Sequence, residues 1–101
     1  MSKELTKFKK SKLSTKFKNP KFYNLIILND DFTSMEFVVK ILIMFFNLSL
    51  QKATEIMLSI HNHGSAIVGT YPKDIAETLS SKVNNYSLQN NYPLKSIIKP
   101  N

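Results

Sequence analysis

Apolar and polar positions divide the chain into six segments beyond a polar beginning. Residues 22–28 are rich in aromatic and branched side chains, which predicts a strand. Asn29, Asp30 and Asp31 interrupt it with three polar residues. Thr33-Ser34-Met35-Glu36 then has the spacing of a capping box, in which the Thr33 hydroxyl accepts from the Glu36 amide and Glu36 reaches back. This predicts a helix running to about Asn47, so apolar that burial on most of its sides is expected. Ser49 is placed to cap a second helix, where Leu50, Ala53, Ile56, Met57 and Ile60 recur at the i, i+3, i+4, i+7 spacing of one buried face. Gly64 stops it, and the short connection between the two helices predicts an antiparallel hairpin. Residues 65–71 alternate loosely and predict a second strand. Pro72 at a first helical position, with Asp74 and Glu77 in the opening turns, predicts a third helix with Ile75, Ala76, Leu79, Val83 and Tyr86 as its apolar stripe. The helix is expected to decay in the Asn-rich stretch 84–91. Tyr92-Pro93 breaks the chain before a short final strand over 94–99. The order βααβαβ predicts an α+β fold, a small three-stranded antiparallel sheet packed against three helices.

Residues 1–20 are rich in Lys, Ser and Thr, with only Leu5, Phe8, Leu13 and Phe17 as scattered large apolar residues. That is too little apolar surface to offset the entropy of ordering, so this stretch is expected to be a disordered N-terminal extension. Asn19-Pro20 marks its boundary with a single folded domain over 21–101. The charge follows the same division. The net charge is +7, and residues 1–21 hold eight lysines against one acid, Glu4, which accounts for all of it. The remaining six lysines are balanced by six acids. A nucleic-acid-binding domain usually carries its basic face on the fold, so a nucleic-acid or ribosome-associated role acting through the tail is the alternative reading, not the leading one. Cysteine is absent, which excludes disulfides and thiolate metal sites. The longest apolar stretch, 35–46, contains Glu36 and Lys40 and falls short of the ~20 residues that span a bilayer. The basic start is not followed by the apolar core of a secretory signal. A transit peptide is disfavoured because the lysine-rich extension contains no arginine.

The chemistry-bearing residues are few. Asp30-Asp31 beside a helix start fits turn and cap chemistry as well as it fits an acid–base or cation-binding site. His61 and His63, two residues apart on a helix, point to different faces and make a poor metal pair. No nucleophile elbow and no phosphate loop is present, and Thr33 and Ser34 are explained as caps, so no enzyme is expected. Met35 and Met57 at helical positions are either core filler or the lining of an adaptable apolar pocket.

These residues also form a recognisable pattern. Asn29-Asp30-Asp31-Phe32-Thr33-x-Met35-Glu36-Phe37-Val38 resembles the signature of the ClpS family of Clp protease adaptors. The likeness continues in order through Ala53-Thr54-Glu55-Ile56-Met57, His61 with Gly64, Gly69-x-Tyr71, Ala76-Glu77-Thr78 and Tyr92-Pro93-Leu94, covering about residues 22–99. The resemblance implies a bacterial cytoplasmic, monomeric N-end-rule adaptor without cofactor or metal. Such an adaptor binds proteins that begin with Leu, Phe, Tyr or Trp and delivers them to a hexameric AAA+ unfoldase of the Clp type, docking on the N-terminal domain of a ClpA-type partner. Carried over residue by residue, it implies that Asn29, Asp31 and His61 hold the substrate α-amino group, with Asp30 assisting. It implies that Thr33, Met35, Val38, Met57, Ile60 and Leu94 line the side-chain pocket, with Met35 excluding β-branched first residues. The unstructured extension of the family is needed for delivery, a role that residues 1–20 fit. The sequence departs from the family pattern at Leu79, where a Lys commonly follows Ala-Glu-Thr on the docking surface, and at Ser34, which replaces a common Pro.

Overall fold

The computed structural model describes residues 21–101; the extension expected over residues 1–20 lies outside them. The described elements run β1 (Phe22–Leu28), α1 (Met35–Phe46), α2 (Leu50–His63), β2 (Ser65–Pro72), α3 (Lys73–Gln89) and β3 (Lys95–Pro100). This is the anticipated βααβαβ order, with three helices and one three-stranded antiparallel sheet. The sheet places β1 in the centre, between β2 and β3.

The period-two alternation of β1 turns Leu25 and Ile27, both fully buried, toward the helices. Ile26 faces the other way and pairs with Ile67 on β2 and Ile97 on β3. The register with β2 shifts between Leu25 and Ile26, so Val68 is an extra residue on that strand. Gly69, opposite Leu25, lets the Tyr71 ring lie flat across it: a Cβ built at Gly69 would stand 2.5 Å from the Tyr71 hydroxyl oxygen. Partial burial raises the Tyr71 phenol above its ordinary pKa.

The core under the sheet is made by Phe37, Val38, Ile41 and Leu42 of α1, Ala53, Met57 and Ile60 of α2, Val83 of α3, and Leu94. Helix α1 is buried along one face only, in contrast to the expectation from its composition. Met35, Ile43 and Met44 are exposed, because a single sheet and two neighbouring helices do not supply enough partners to surround it. The N-cap of α1 also differs. Ser34, not Thr33, accepts from the Phe37 amide at 3.2 Å, because the Thr33 hydroxyl is drawn to Asp30. Helix α2 starts at the Ser49 cap and ends at Gly64, whose φ of 89° is the left-handed conformation that glycine adopts without strain. Aromatic contacts join α1 to α3: Phe37 stacks on Tyr86 with centroids 5.6 Å apart and also meets Tyr92 at 4.3 Å.

Helix α3 does not decay at residue 84; it continues to Gln89. Asn84 is the reason the Asn-rich stretch is misleading. Its side-chain oxygen accepts the Ser96 amide at 2.7 Å and its amide nitrogen donates to the Ser96 carbonyl at 3.2 Å. The carboxamide thus satisfies an edge-strand residue of β3 as a neighbouring strand would. Ser80 completes the contact with a 2.7 Å hydroxyl pair to the buried Ser96. The expected α3 stripe holds at Ala76, Leu79, Val83 and Tyr86, whereas Ile75 is exposed.

Candidate functional site

The loop between β1 and α1 is shaped by its own side chains. Asp30 accepts the Phe32 and Thr33 amides on one oxygen, each at 2.8 Å, and the Thr33 hydroxyl on the other at 2.7 Å. An aspartate that binds the amides two and three residues on closes a tight turn. The turn leaves Asp31 exposed at its outer side and aims Ser34 at the helix start. At the other end of the loop the Asn29 amide donates to the Gly64 carbonyl at 2.9 Å. That bond ties the end of β1 to the end of α2, so the left-handed Gly64 brings the last turn of α2 beside Asn29.

The result is a cavity of about 290 Å³ lined by Asn29, Asp30, Asp31, Thr33, Ser34, Met35, Val38, Met57, Ile60 and His61. Its volume is at the lower end of ligand pockets, which run from about 300 to 1,000 Å³. Its two sides differ. Val38, Met57 and Ile60 are nearly fully buried and form an apolar floor, while Met35 is 43% exposed and stands at the edge. Asn29, Asp31 and His61 are exposed and form a polar rim. His61 lies four residues after Met57 on α2, which accounts for its place on the rim above that floor. His63 is turned away, with its ring nitrogen 3.2 Å from the Ser59 carbonyl. Among the described residues no three His, Asp or Glu side chains come together as a metal site.

Of the ten residues singled out from the sequence, nine line this cavity. Leu94 does not. It is buried in the core and borders a separate, smaller cavity of about 110 Å³ with Asn84, Leu88, Tyr92, Pro93 and Lys95. It belongs to the same core cluster as Val38, Met57 and Ile60, and enters it from the segment just before β3. The lining residue that the sequence does not assign to the pocket is Ser34, which it explains only as a cap. It both caps α1 and lines the cavity, with its hydroxyl 3.4 Å from that of Tyr92. Its polarity after Thr33 was the available signal.

Fold and cavity together define a small α+β module with an open pocket, apolar below and polar at the rim. The chain belongs to the ClpS family: the family described as ATP-dependent Clp protease adaptor protein ClpS matches residues 18–97. The adapter protein ClpS of Vibrio atlanticus is 51% identical over 80 residues, covering 79% of this chain and 76% of that one. That of Nitrosomonas eutropha is 48% identical over 85 residues, covering 84% and 82%. Among solved structures, Agrobacterium tumefaciens ClpS2 bound to L-phenylalaninamide superposes with a TM-score of 0.80 at 34% identity, covering 82% of this chain and all of that one. The chain is thus an adaptor of the Clp protease by family. Among the described residues, no helix is long and apolar enough to cross a membrane.

Proposed function

We propose that this protein is an N-end-rule adaptor that binds chains beginning with Leu, Phe, Tyr or Trp and delivers them to a Clp AAA+ unfoldase through the N-terminal domain of a ClpA-type partner. The observation that carries the reading is the one cavity in which Asn29, Asp31 and His61 rim a floor of Val38, Met57 and Ile60. L-phenylalaninamide, held by the Agrobacterium relative, combines a free α-amine with an apolar side chain and so has the two features such a cavity complements.

An α-ammonium group offers three donors and a charge. The Asn29 carbonyl, the Asp31 carboxylate and an unprotonated His61 nitrogen are three acceptors for it. An exposed ion pair alone is worth less than about 1 kcal/mol. Burying a Leu or Phe side chain on the floor adds about 1.5–3 kcal/mol, and each acceptor left unpaired by a blocked amine costs about 1–3 kcal/mol once the bound chain covers it, so recognition needs the apolar side chain and the free N-terminus together. Met35, at the pocket edge, limits its width where a β-branched side chain is broadest. Asp30, with both oxygens engaged inside the turn, assists by holding Asp31 and Thr33 in place. Recognition makes and breaks no covalent bond, and the domain acts as a monomer.

Fluorescence anisotropy with Leu-, Phe- and acetyl-Leu-initiated peptides tests the reading. The free-amine peptides bind and the acetylated one does not; Asn29→Ala and Asp31→Ala each abolish binding while circular dichroism stays unchanged. Equal binding of the acetylated peptide removes the amine site.

A further inference from the structure

We propose that the site continues beyond the pocket for the first residue, along a groove between α1 and α2 that accepts an aliphatic side chain at the third position of the bound chain. This inference rests on the N-end-rule reading. A second cavity of about 430 Å³ is lined by Met35, Glu36, Val39, Leu50, Thr54 and Met57. It shares Met35 and Met57 with the first cavity, so the two are neighbours across those side chains.

The helix spacing gives the groove a direction. Leu50, Thr54, Met57 and His61 are separated by four, three and four residues and form one line along α2. His61 lies at the amine end, Met57 in the shared wall and Leu50 at the far end. A chain whose amine is held beside His61 therefore leaves toward Leu50. In an extended chain the third side chain points to the same side as the first, about 6.6 Å further on. Along α2, Thr54 is about 4.5 Å from Met57 and Leu50 about 10.5 Å, so the third side chain arrives between them.

The lining is suited to an aliphatic group. Leu50 is 67% exposed although it opens the helix, where the Ser49 cap already satisfies the backbone. The Thr54 hydroxyl donates to the Leu50 carbonyl at 2.7 Å, which turns its hydrogen-bonding capacity inward. Glu36 is the one charged group of this lining and has no ion-pair partner among the described residues. Its carboxylate opposes an acidic residue at the same position.

The test is anisotropy on the full chain with peptides of the form Leu-Ala-X, extended by a common tail, where X is Leu, Gly or Asp. Leu at X binds about fivefold more tightly than Gly, from burial of roughly half its side chain, and Asp binds most weakly. Leu50→Ser brings the Leu-to-Gly ratio close to one, and Glu36→Gln narrows the gap between Gly and Asp; thermal unfolding of both variants reports their fold. Equal binding of the three peptides, a ratio unchanged in Leu50→Ser, or a preference that follows the second position instead overturns the groove while leaving the first-residue pocket standing. If Leu-Ala-Gly binds no better than its acetylated form, the N-end-rule reading falls and the groove with it.

Discussion

Two adjacent aspartates at the mouth of one cavity invite the same role, and their hydrogen bonds separate them. Asp30 holds three donors inside its own turn, while Asp31 is exposed at the rim. Asp30→Ala releases two backbone amides and the Thr33 hydroxyl. A single capping side chain is worth about 0.5–2 kcal/mol, and this loop is partly open to water, which replaces some of what is lost, so the expected cost is about 1–2 kcal/mol. In a domain of this size that lowers the melting temperature by roughly 5–15 °C. Asp30→Asn keeps an acceptor oxygen for the two amides and removes the charge; its NH2 replaces the oxygen that accepts from the Thr33 hydroxyl, so that one bond survives only with the NH2 donating to the Thr33 oxygen. Thermal unfolding and anisotropy with a Leu-initiated peptide, measured on both variants, resolve the role. A positioning Asp30 gives an Asn variant near the parent in both stability and affinity, and an Ala variant impaired in both. An Asn variant with the parent's melting temperature but as little binding as the Ala variant refutes the reasoning, since the charge would then act on the ligand directly.

Other consequences concern the fold, the pocket edge and the tail. Asn84→Ala strips the Ser96 amide of its side-chain acceptor and leaves the Ser96 carbonyl only the weaker Ser80 hydroxyl, and urea unfolding should show a loss of about 1–3 kcal/mol. Gly69→Ala drives a methyl group into the Tyr71 ring at 2.5–2.9 Å and costs about 1–3 kcal/mol in the same assay, and Gly69→Ala with Tyr71→Ala recovers part of it. Met35→Ala opens the edge of the pocket, and anisotropy should then detect Ile- and Val-initiated peptides that the parent rejects; unchanged selectivity removes Met35 as the width-setting residue. Deleting residues 1–20 is expected to leave peptide binding intact and to abolish delivery in a degradation assay with the purified unfoldase and protease. Loss of salt-dependent RNA or DNA binding as the main effect would instead favour action through the basic tail.

The local rules were legible wherever one residue acts on its own neighbourhood. Gly64 ends α2 because only a residue without a Cβ adopts its φ cheaply, and Ser49 opens α2 because its hydroxyl reaches the Lys52 amide; both are decided within four residues of sequence. The rule fails where two candidates compete for one partner. Thr33 and Ser34 both suit the cap of α1, and Ser34 takes it because Asp30 captures the Thr33 hydroxyl. It fails again at Asn84, where weak intrinsic helix propensity is overridden by a strand twelve residues away.

By itself, then, the sequence determined the order of the six elements and which residues carry polar or apolar chemistry, because periodicity and capping are short-range properties of the chain. The family signature also marked nine residues that turn out to share one cavity. Only the tertiary structure decided which faces are open. The mostly apolar α1 proved to be exposed along one side, at Met35, Ile43 and Met44 as well as at Glu36 and Lys40, because a small domain supplies too few neighbours to cover it. Leu94 is buried in the same core cluster as the cavity floor and borders a separate, smaller cavity. The cavity itself depends on the bond between Asn29 and Gly64, which brings the end of α2 to the loop after β1; burial and meeting of this kind are set by packing across the whole fold, and no local stretch encodes them.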